Sequence, residues 1–182
     1  MRLLILISLL ISFSACAQVK LVKRKIDKNI SVSLPEIFSP MTPEDLIQRY
    51  PSVRAPLGAY TDPDRLADFS VNISATQWPD QNLEFARGFF KASIMNMFDR
   101  VEMLNEGIRE INQNKFIFFE FTSRLNPEKQ NIAIQDALVR YTYIAYLIRP
   151  GRTLVFSFGC TKDVQENWQP VAQEVMNTIQ VR

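Results

Sequence analysis

The stretch that most constrains the fold is residues 141–160, where two apolar runs flank Arg149, Pro150, Gly151 and Arg152. Pro150 presets φ for the first central position of a reverse turn. Gly151 accepts the positive φ that a type II turn requires at the second position. The stretch therefore predicts a β-hairpin with a loop of two residues. Because two-residue hairpins favour other turn types, the alternative is a loop that is one residue longer.

If residue 149 faces residue 152, antiparallel geometry sets the register of the hairpin. The cross-strand pairs are then Leu147 with Leu154, Ala145 with Phe156, Tyr143 with Phe158 and Tyr141 with Cys160. The other face of the first strand carries Ile144, Tyr146 and Ile148, so this strand is apolar on both sides. Such strands lie in sheets that are covered on both faces. We therefore expect the hairpin at the centre of the sheet.

Further strands are predicted over residues 30–35, 58–61, 69–75, 103–111 and 115–124, where residues alternate in polarity or turn residues flank a short run. Gly107 is expected to mark a bulge in the fourth of these strands. Glu120 shares a strand face with two phenylalanines. Because buried carboxylates are rarely left unpaired, we expect Glu120 to pair with Arg124 or Arg140 rather than to act as a catalytic acid.

Two helices are predicted ahead of the hairpin. Thr42 is a natural N-cap and Pro43 suits the first helical position, so a first helix runs to residue 50. Over residues 82–99, apolar residues recur at helical spacing. The stripe consists of Leu83, Ala86, Phe90, Ile94, Met97 and Phe98, flanked by Phe85, Phe89 and Met95. We assign this wide stripe to the core rather than to a cofactor site.

A final amphipathic helix follows the hairpin. Its apolar stripe consists of Trp168, Val171, Ala172, Val175, Met176 and Ile179. Pro170 costs stability inside a helix, because it has no N–H to donate. It is tolerated if Asn167 is the N-cap, and the alternative is that Asp163 caps an earlier turn that is kinked at Pro170.

Composition restricts the classes of function. The 182 residues suit one domain, and the formal net charge of +2 is too small to indicate a nucleic-acid-binding surface. The sequence contains no histidine, which excludes histidine-based triads, imidazole zinc sites and imidazole acid–base catalysis. We therefore expect no enzymatic activity, no catalytic residues, no cofactor and no metal site.

Two sets of reactive side chains have simple structural interpretations. Cys160 lies on an apolar strand and has no histidine to activate it, so we expect a buried small hydrophobe rather than a nucleophile. Asp62, Asp64 and Asp68 lack the glycine and the distal glutamate of a calcium-binding loop. We expect these three aspartates to be solvated turn residues.

Residues 1–17 predict a secretory signal peptide. Arg2 precedes an apolar run over residues 3–13, which is too short to span a membrane, and small residues follow the run. Cleavage before Cys16 would resemble bacterial lipoprotein processing and would leave an acylated Cys16. Cleavage before Gln18 would instead release a soluble protein.

Residues 18–29 form a basic segment between the leader and the folded part of the chain. They predict a solvated tether, a segment attracted to anionic lipid head groups, or a short edge strand. Residues 30–182 are expected to form a single domain.

Taken in order, the predicted elements are strand, helix, strands, long helix, several strands and a final helix. Short turns between neighbouring strands indicate an α+β sandwich, an antiparallel β-sheet of about six to seven strands with helices packed on its faces. The pattern resembles the PsbP-like superfamily. The likeness lies in residues 30–35, in the helix over 82–99, and in residues 154–158 followed by Trp168 and residues 176–179.

The resemblance implies a PsbP-like α/β/α sandwich and a non-enzymatic binding or assembly module, and it carries over no functional residue. With the leader, it predicts a protein exported to the periplasm or cell-envelope membrane of a bacterium, with membrane attachment through Cys16 if that residue is acylated. The expected partner is an unidentified envelope protein or ligand. The alternatives are a small-ligand or lipid carrier, and an enzyme that uses carboxylate or Ser/Lys chemistry.

Overall fold

The computed structural model describes residues 19–50, 55–76, 78, 82–125 and 138–182. The predicted signal peptide, both cleavage positions and the candidate lipidation residue Cys16 lie outside these residues and stay predictions. The described residues contain ten strands and three α-helices.

The strands are β1 (Leu21–Lys25), β2 (Ile30–Pro35), β3 (Ser39–Pro40), β4 (Gly58–Thr61), β5 (Ala67–Ile73), β6 (Arg100–Ile111), β7 (Asn114–Leu125), β8 (Leu138–Arg149), β9 (Arg152–Thr161) and β10 (Gln180–Val181). The helices are α1 (Pro43–Arg49), α2 (Leu83–Met97) and α3 (Gln165–Asn177), and a 3₁₀ turn (Lys162–Val164) precedes α3. Seven strands form an antiparallel sheet in the order β3-β4-β5-β9-β8-β7-β6, and a small sheet has the order β1-β2-β10. The predicted α+β class is confirmed.

The hairpin of β8 and β9 lies inside the seven-stranded sheet, as predicted. All four predicted cross-strand pairs are present, and Arg149 pairs with Arg152 across the two-residue loop. Gly151 has a φ of 73°, in the left-handed region that side chains disfavour. β5 pairs with β9 and β7 pairs with β8, so both outer edges of the hairpin are covered.

Both faces of the large sheet are covered, which explains why β8 is apolar on both sides. One face packs against α3 and the small sheet, and its buried side chains include Phe116, Tyr141, Tyr143, Phe156 and Phe158. The other face packs against α2, and its buried side chains include Ile117, Phe119, Phe121, Tyr146 and Ile148. The protein is therefore layered, with α2 on one side of the sheet and α3 with the small sheet on the other.

The small sheet forms because β2 alternates in polarity. Ile30, Val32 and Leu34 are buried, as predicted, while Ser31 and Ser33 point the other way. Within residues 18–29, for which the sequence leaves three interpretations open, the structure has the edge strand β1 paired with β2. β10 pairs with the other edge of β2 and so connects the end of the described chain to its beginning.

The cap of α1 was predicted correctly, whereas neither cap predicted for α3 is present. Thr42 caps α1 through a capping box with Asp45. Of the two alternatives for α3, the start capped by Asn167 is wrong, because the helix already begins at Gln165 with Val164 in the N-cap position. The helix does start earlier, as the other alternative expects, but Asp163 lies in the preceding 3₁₀ turn and is not its N-cap. Pro170 thus lies inside the helix. It is exposed, so water can bond the carbonyl that lacks an N–H partner.

The bulge predicted at Gly107 is also misplaced. The register of β6 against β7 shifts between Met103 and Asn105, whereas Gly107 pairs regularly with Phe118. A Cβ added at Gly107 would lie 3.3 Å from the Phe118 ring. The glycine is therefore explained by the ring that packs over it, and not by a bulge.

Candidate functional surfaces and buried polar clusters

An ion cluster joins α1, β5 and β8. Asp68 Oδ2 accepts a hydrogen bond from Arg140 Nη2 at 2.5 Å and another from Arg49 Nη1. Arg49 Nη2 also donates to the backbone carbonyl of Arg65 at 2.5 Å. All three ionic side chains are largely buried. The cluster ties three elements together, which is a structural role.

The prediction that the three nearby aspartates are solvated is correct only for Asp64, which is exposed. Asp68 is buried in the ion cluster, and Asp62 is buried because its Oδ1 accepts the backbone N–H of Ala67 at 2.7 Å. Alternation along the sequence does not reveal these partners, since those of Asp68 come from α1 and from a non-adjacent strand, and that of Asp62 from its own loop.

A second buried cluster lies under α3 and is centred on Glu120, which is 2% exposed. Its Oε1 accepts hydrogen bonds from Tyr141 Oη at 2.9 Å, from Gln169 Nε2 at 2.7 Å and from Gln173 Nε2 at 2.9 Å. Burial, followed by the charge of Glu120, raises the pKa of Tyr141. The carboxylate is thus held by neutral donors from β8 and from two turns of α3.

The prediction that Glu120 pairs with an arginine is therefore wrong. Arg140 adjoins Tyr141 on β8, so its side chain points to the opposite face of the sheet. Arg124 shares the face of Glu120 but lies four residues further along β7, which is about 13 Å. The glutamines that take the place of an arginine come from a helix that is distant in sequence.

Cys160 is buried on β9, as predicted. Burial raises the pKa of its thiol to about 12, although the charge of Arg140 acts in the opposite direction. The side chain is therefore a neutral thiol near pH 7, whereas the nucleophilic form of cysteine is the thiolate.

In the part of the chain that the structure describes, no group of three or more His, Cys, Asp or Glu residues is arranged to hold a metal ion. Among the same residues, no helix is both long enough and apolar enough to cross a membrane. Open depressions do mark the surface. One, of about 260 Å³, is lined by residues that include Arg100, Arg124 and Lys162. Two others, of about 330 and 450 Å³, adjoin each other at Gln180 and Arg182.

The stripe predicted to bury a wide face of α2 is narrower than expected. Ala86, Phe90 and Ile94 are buried against the sheet, whereas Phe85, Phe89, Met95 and Met97 are exposed. A helix that lies on one sheet buries only the side that faces that sheet. The predicted core assignment is therefore wrong for these four residues.

A second stripe of α2 faces solvent. Its residues recur at i, i+3, i+4, i+7 and i+11, and they are Phe85, Gly88, Phe89, Ala92 and Asn96. We call these five residues the outer face of α2. The exposed fraction is 67% for Phe85 and 43% for Phe89, and the Trp78 ring supports both, with centroid distances of 5.7 and 5.0 Å.

The charged residues of α2 lie beside this outer face and are paired. Arg87 Nε lies 2.9 Å from Glu84 Oε2. Lys91 Nζ lies 2.8 Å from Glu106 Oε1 on β6. The outer face is therefore an uncharged strip, bordered on one flank by ion pairs. The sequence carried a signal for it, because the apolar spacing that starts at Phe85 is offset from the spacing of the buried stripe.

Comparison with known proteins identifies the fold of this chain but assigns it to no family. A scan of protein-family models and a search of curated protein sequences both give no match. Solved structures do match. The cyanobacterial PsbP protein CyanoP of Synechocystis sp. PCC 6803 has a TM-score of 0.60 at 13% identity, covering 95% of this chain and 99% of the other.

Two further structures have the same architecture. The Ran-binding protein Mog1p of Saccharomyces cerevisiae has a TM-score of 0.56 at 12% identity, with 90% of this chain and 96% of the other covered. LpqN of Mycobacterium tuberculosis, involved in cell envelope biogenesis, has a TM-score of 0.52 at 13% identity, with 90% and 92% covered. The chain therefore has the PsbP-like fold, and identities this low show the fold alone.

Proposed function

We propose that this protein is a non-enzymatic binding module of the bacterial cell envelope, and that the outer face of α2 is its docking surface. The structural neighbours are compatible with an envelope-associated module, since one of them is involved in cell envelope biogenesis. The apolar leader with Cys16 at its end supports export. Neither observation names a partner.

The observation that carries the proposal is the exposure of two phenylalanines, one helical turn apart, on an uncharged helix face. Most exposed large hydrophobic side chains in the described residues lie on α2 or on the strand that follows it. Exposed aromatic patches with a polar border are typical of protein interaction sites. Phe85 and Phe89 are placed to act as the anchors of such a site.

Gly88 indicates what kind of partner docks here. A Cβ added at Gly88 would meet no atom within 4 Å, so packing among the described residues does not require glycine. Glycine nevertheless costs a helix about 1 kcal/mol relative to alanine. Gly88 and Ala92 lie one turn apart and leave a shallow strip in which another backbone can approach closely. We infer that the occupant is the apolar face of a partner helix.

Two properties favour binding over catalysis. The sequence has no histidine, and the Cys160 thiol is buried, with a pKa raised to about 12. The buried carboxylates Asp68 and Glu120 are held by donors from the fold itself. In these contacts the two carboxylates stabilise the fold. This role supports a protein that acts by binding a partner at its surface.

The proposal is tested by quantitative affinity capture from envelope extracts with wild type and with Phe85→Ser/Phe89→Ser. We expect a defined protein to be captured by wild type and lost from the double variant, and purified components should then reproduce the interaction. The matched control is Ile47→Ser, which removes a side chain that is 73% exposed on a different helix, α1. Equal loss of the captured protein from the control would contradict the assignment to α2.

Catalysis and export need separate measurements. We expect no turnover of ester, peptide, glycoside or phosphoester panels by the purified protein. Reproducible turnover that one carboxylate, serine or lysine substitution abolishes without unfolding the protein would overturn the non-enzymatic proposal. Mass spectrometry of the native N-terminus should find an acylated Cys16 or a start at Gln18, and a retained Met1 in mature material would refute export.

A further inference from the structure

The exposed face of the small sheet carries a cationic depression. Lys23 and Lys25 alternate along β1 and lie opposite Ser33 and Ser31 of β2, on the side away from the buried residues of that strand. The depression has a volume of about 330 Å³. Its lining consists of Lys23, Lys25, Asn29, Ser31, Gln180 and Arg182. We call these six residues the small-sheet cleft.

The composition of the small-sheet cleft matches an anion with several oxygen atoms. Three cations converge on it, and the hydroxyl and amide groups of the other three residues can also donate hydrogen bonds. Among the residues that the structure describes, no carboxylate side chain lines it. The Nζ of Lys23 already donates to Gln180 Oε1 at 2.7 Å, which holds this ammonium group over the sheet.

The nearest acidic residue of the β1–β2 turn does not neutralise these cations. Asp27 Oδ1 accepts the backbone N–H groups of Asn29 at 2.6 Å and of Ile30 at 2.8 Å. Its carboxylate therefore shapes the turn. Lys28 of the same turn is exposed and adds a further positive charge at this edge.

The polar surface extends beyond the small-sheet cleft. An adjoining depression of about 450 Å³ shares Gln180 and Arg182 and adds Arg149, whose guanidinium bonds the side-chain oxygen of Asn114. Cationic groups thus continue from β1 to the loop of the central hairpin. A broad sheet surface of this kind fits a planar array of anions better than a single small ion.

We propose that the small-sheet cleft binds the phosphate groups of anionic phospholipids and holds the small sheet against the membrane surface. The candidate anchor Cys16 precedes β1 by only five residues, so the leader end of the chain joins the domain at this sheet. The small sheet and α2 cover opposite faces of the large sheet. A membrane bound at the cleft would therefore leave the outer face of α2 directed away from the lipid.

This proposal uses none of the α2 residues, so its failure leaves the docking surface intact. The experiment measures binding of the predicted mature form that starts at Gln18, and therefore carries no acyl group in any sample, to vesicles of phosphatidylglycerol and of phosphatidylcholine. The test variant is Lys23→Gln/Lys25→Gln/Arg182→Gln. The control is Arg100→Gln/Arg124→Gln/Lys162→Gln, which removes the same charge from the other cationic depression.

We expect binding to phosphatidylglycerol vesicles that weakens with salt, and much weaker binding to phosphatidylcholine. Because a basic residue near such a surface contributes up to about fivefold in binding, the cleft variant should lose about 100-fold and the control less than about 5-fold. Lys23→Arg/Lys25→Arg should retain binding, and thermal melts of all variants should match wild type.

Three results would overturn the proposal. Equal losses in the cleft and control variants would show that only net charge matters. Comparable binding to both lipids would show that the phosphate-bearing anionic surface is not what is recognised. Calorimetric binding of inorganic phosphate in the cleft without any binding to phosphatidylglycerol vesicles would assign the site to a soluble anion instead.

Discussion

Arg140 on β8 bonds Asp68 on β5 across the strand that separates them, with Nη2 2.5 Å from Oδ2. The separating strand is β9, whose Gly159 pairs with Asp68 on one side. A Cβ at Gly159 would lie 3.0 Å from Arg140 Nη2 and 3.5 Å from the carbonyl oxygen of Tyr141. The missing side chain at Gly159 therefore opens the path by which the guanidinium reaches the carboxylate.

Gly159→Ala should lower the free energy of unfolding by about 1–3 kcal/mol, because the new methyl group displaces Arg140 from its ion pair. Urea denaturation measures the change. Gly88→Ala is the matched control, since it adds the same methyl group in open space and should raise the free energy of unfolding by about 1 kcal/mol. A neutral or stabilising effect of Gly159→Ala would show that Arg140 does not need this path.

The contact between Glu120 and Tyr141 should be strongly coupled. Glu120→Ala should cost about 2–4 kcal/mol, because it leaves the Tyr141 hydroxyl and two glutamine amides without their shared acceptor. Tyr141→Phe should cost about 1–2 kcal/mol. In a double-mutant cycle measured by urea denaturation, the combined loss should be smaller than the sum of the single losses. Simple additivity would contradict the proposed network.

The Cys160 thiol should react with iodoacetamide at pH 8 at least about 100-fold more slowly in the native protein than in urea, because it is buried and its pKa is raised. Mass spectrometry of time points measures both rates. Rapid native labelling would show that β9 opens far more readily than a central strand should.

The same pKa shift predicts a pH dependence. The unfolded thiol ionises near its ordinary pKa of 9.0, while the folded one ionises near about 12. The stabilisation is therefore fully present below pH 9 and is lost as the pH rises from 9 towards 12. The midpoint of urea denaturation should decrease from pH 7 to pH 10, and the decrease should be larger for wild type than for Cys160→Ala. An equal fall in both proteins would contradict this assignment.

What the sequence predicted correctly was local. The turn at Pro150 and Gly151 together with strict alternation determined the hairpin register, and all four pairs are present. The partners of Glu120 were missed, because Gln169 and Gln173 approach it from a helix about 50 residues away in sequence, which no alternation pattern encodes.

The candidate surfaces show a similar limit. Helical spacing predicted α2 correctly, but it did not predict that Phe85 lies on an exposed face. Apolar spacing identifies a helix face, whereas burial of that face depends on which element packs against it. The small-sheet cleft combines Lys23 and Lys25 with Arg182, near opposite ends of the described chain. The pairing of both β1 and β10 with β2 brings these residues together.

The central claim, that α2 docks a partner helix, is tested most directly by the dissociation constant of the captured partner for Gly88→Leu. The leucine should stabilise α2, because glycine is the poorer helix former, while its side chain fills the strip that the partner backbone occupies. We expect at least about 10-fold weaker binding together with a higher melting temperature. Asn167→Leu changes an exposed position on α3, on the other side of the large sheet, and should leave binding unchanged. Unaltered affinity of Gly88→Leu for the partner would contradict the claim.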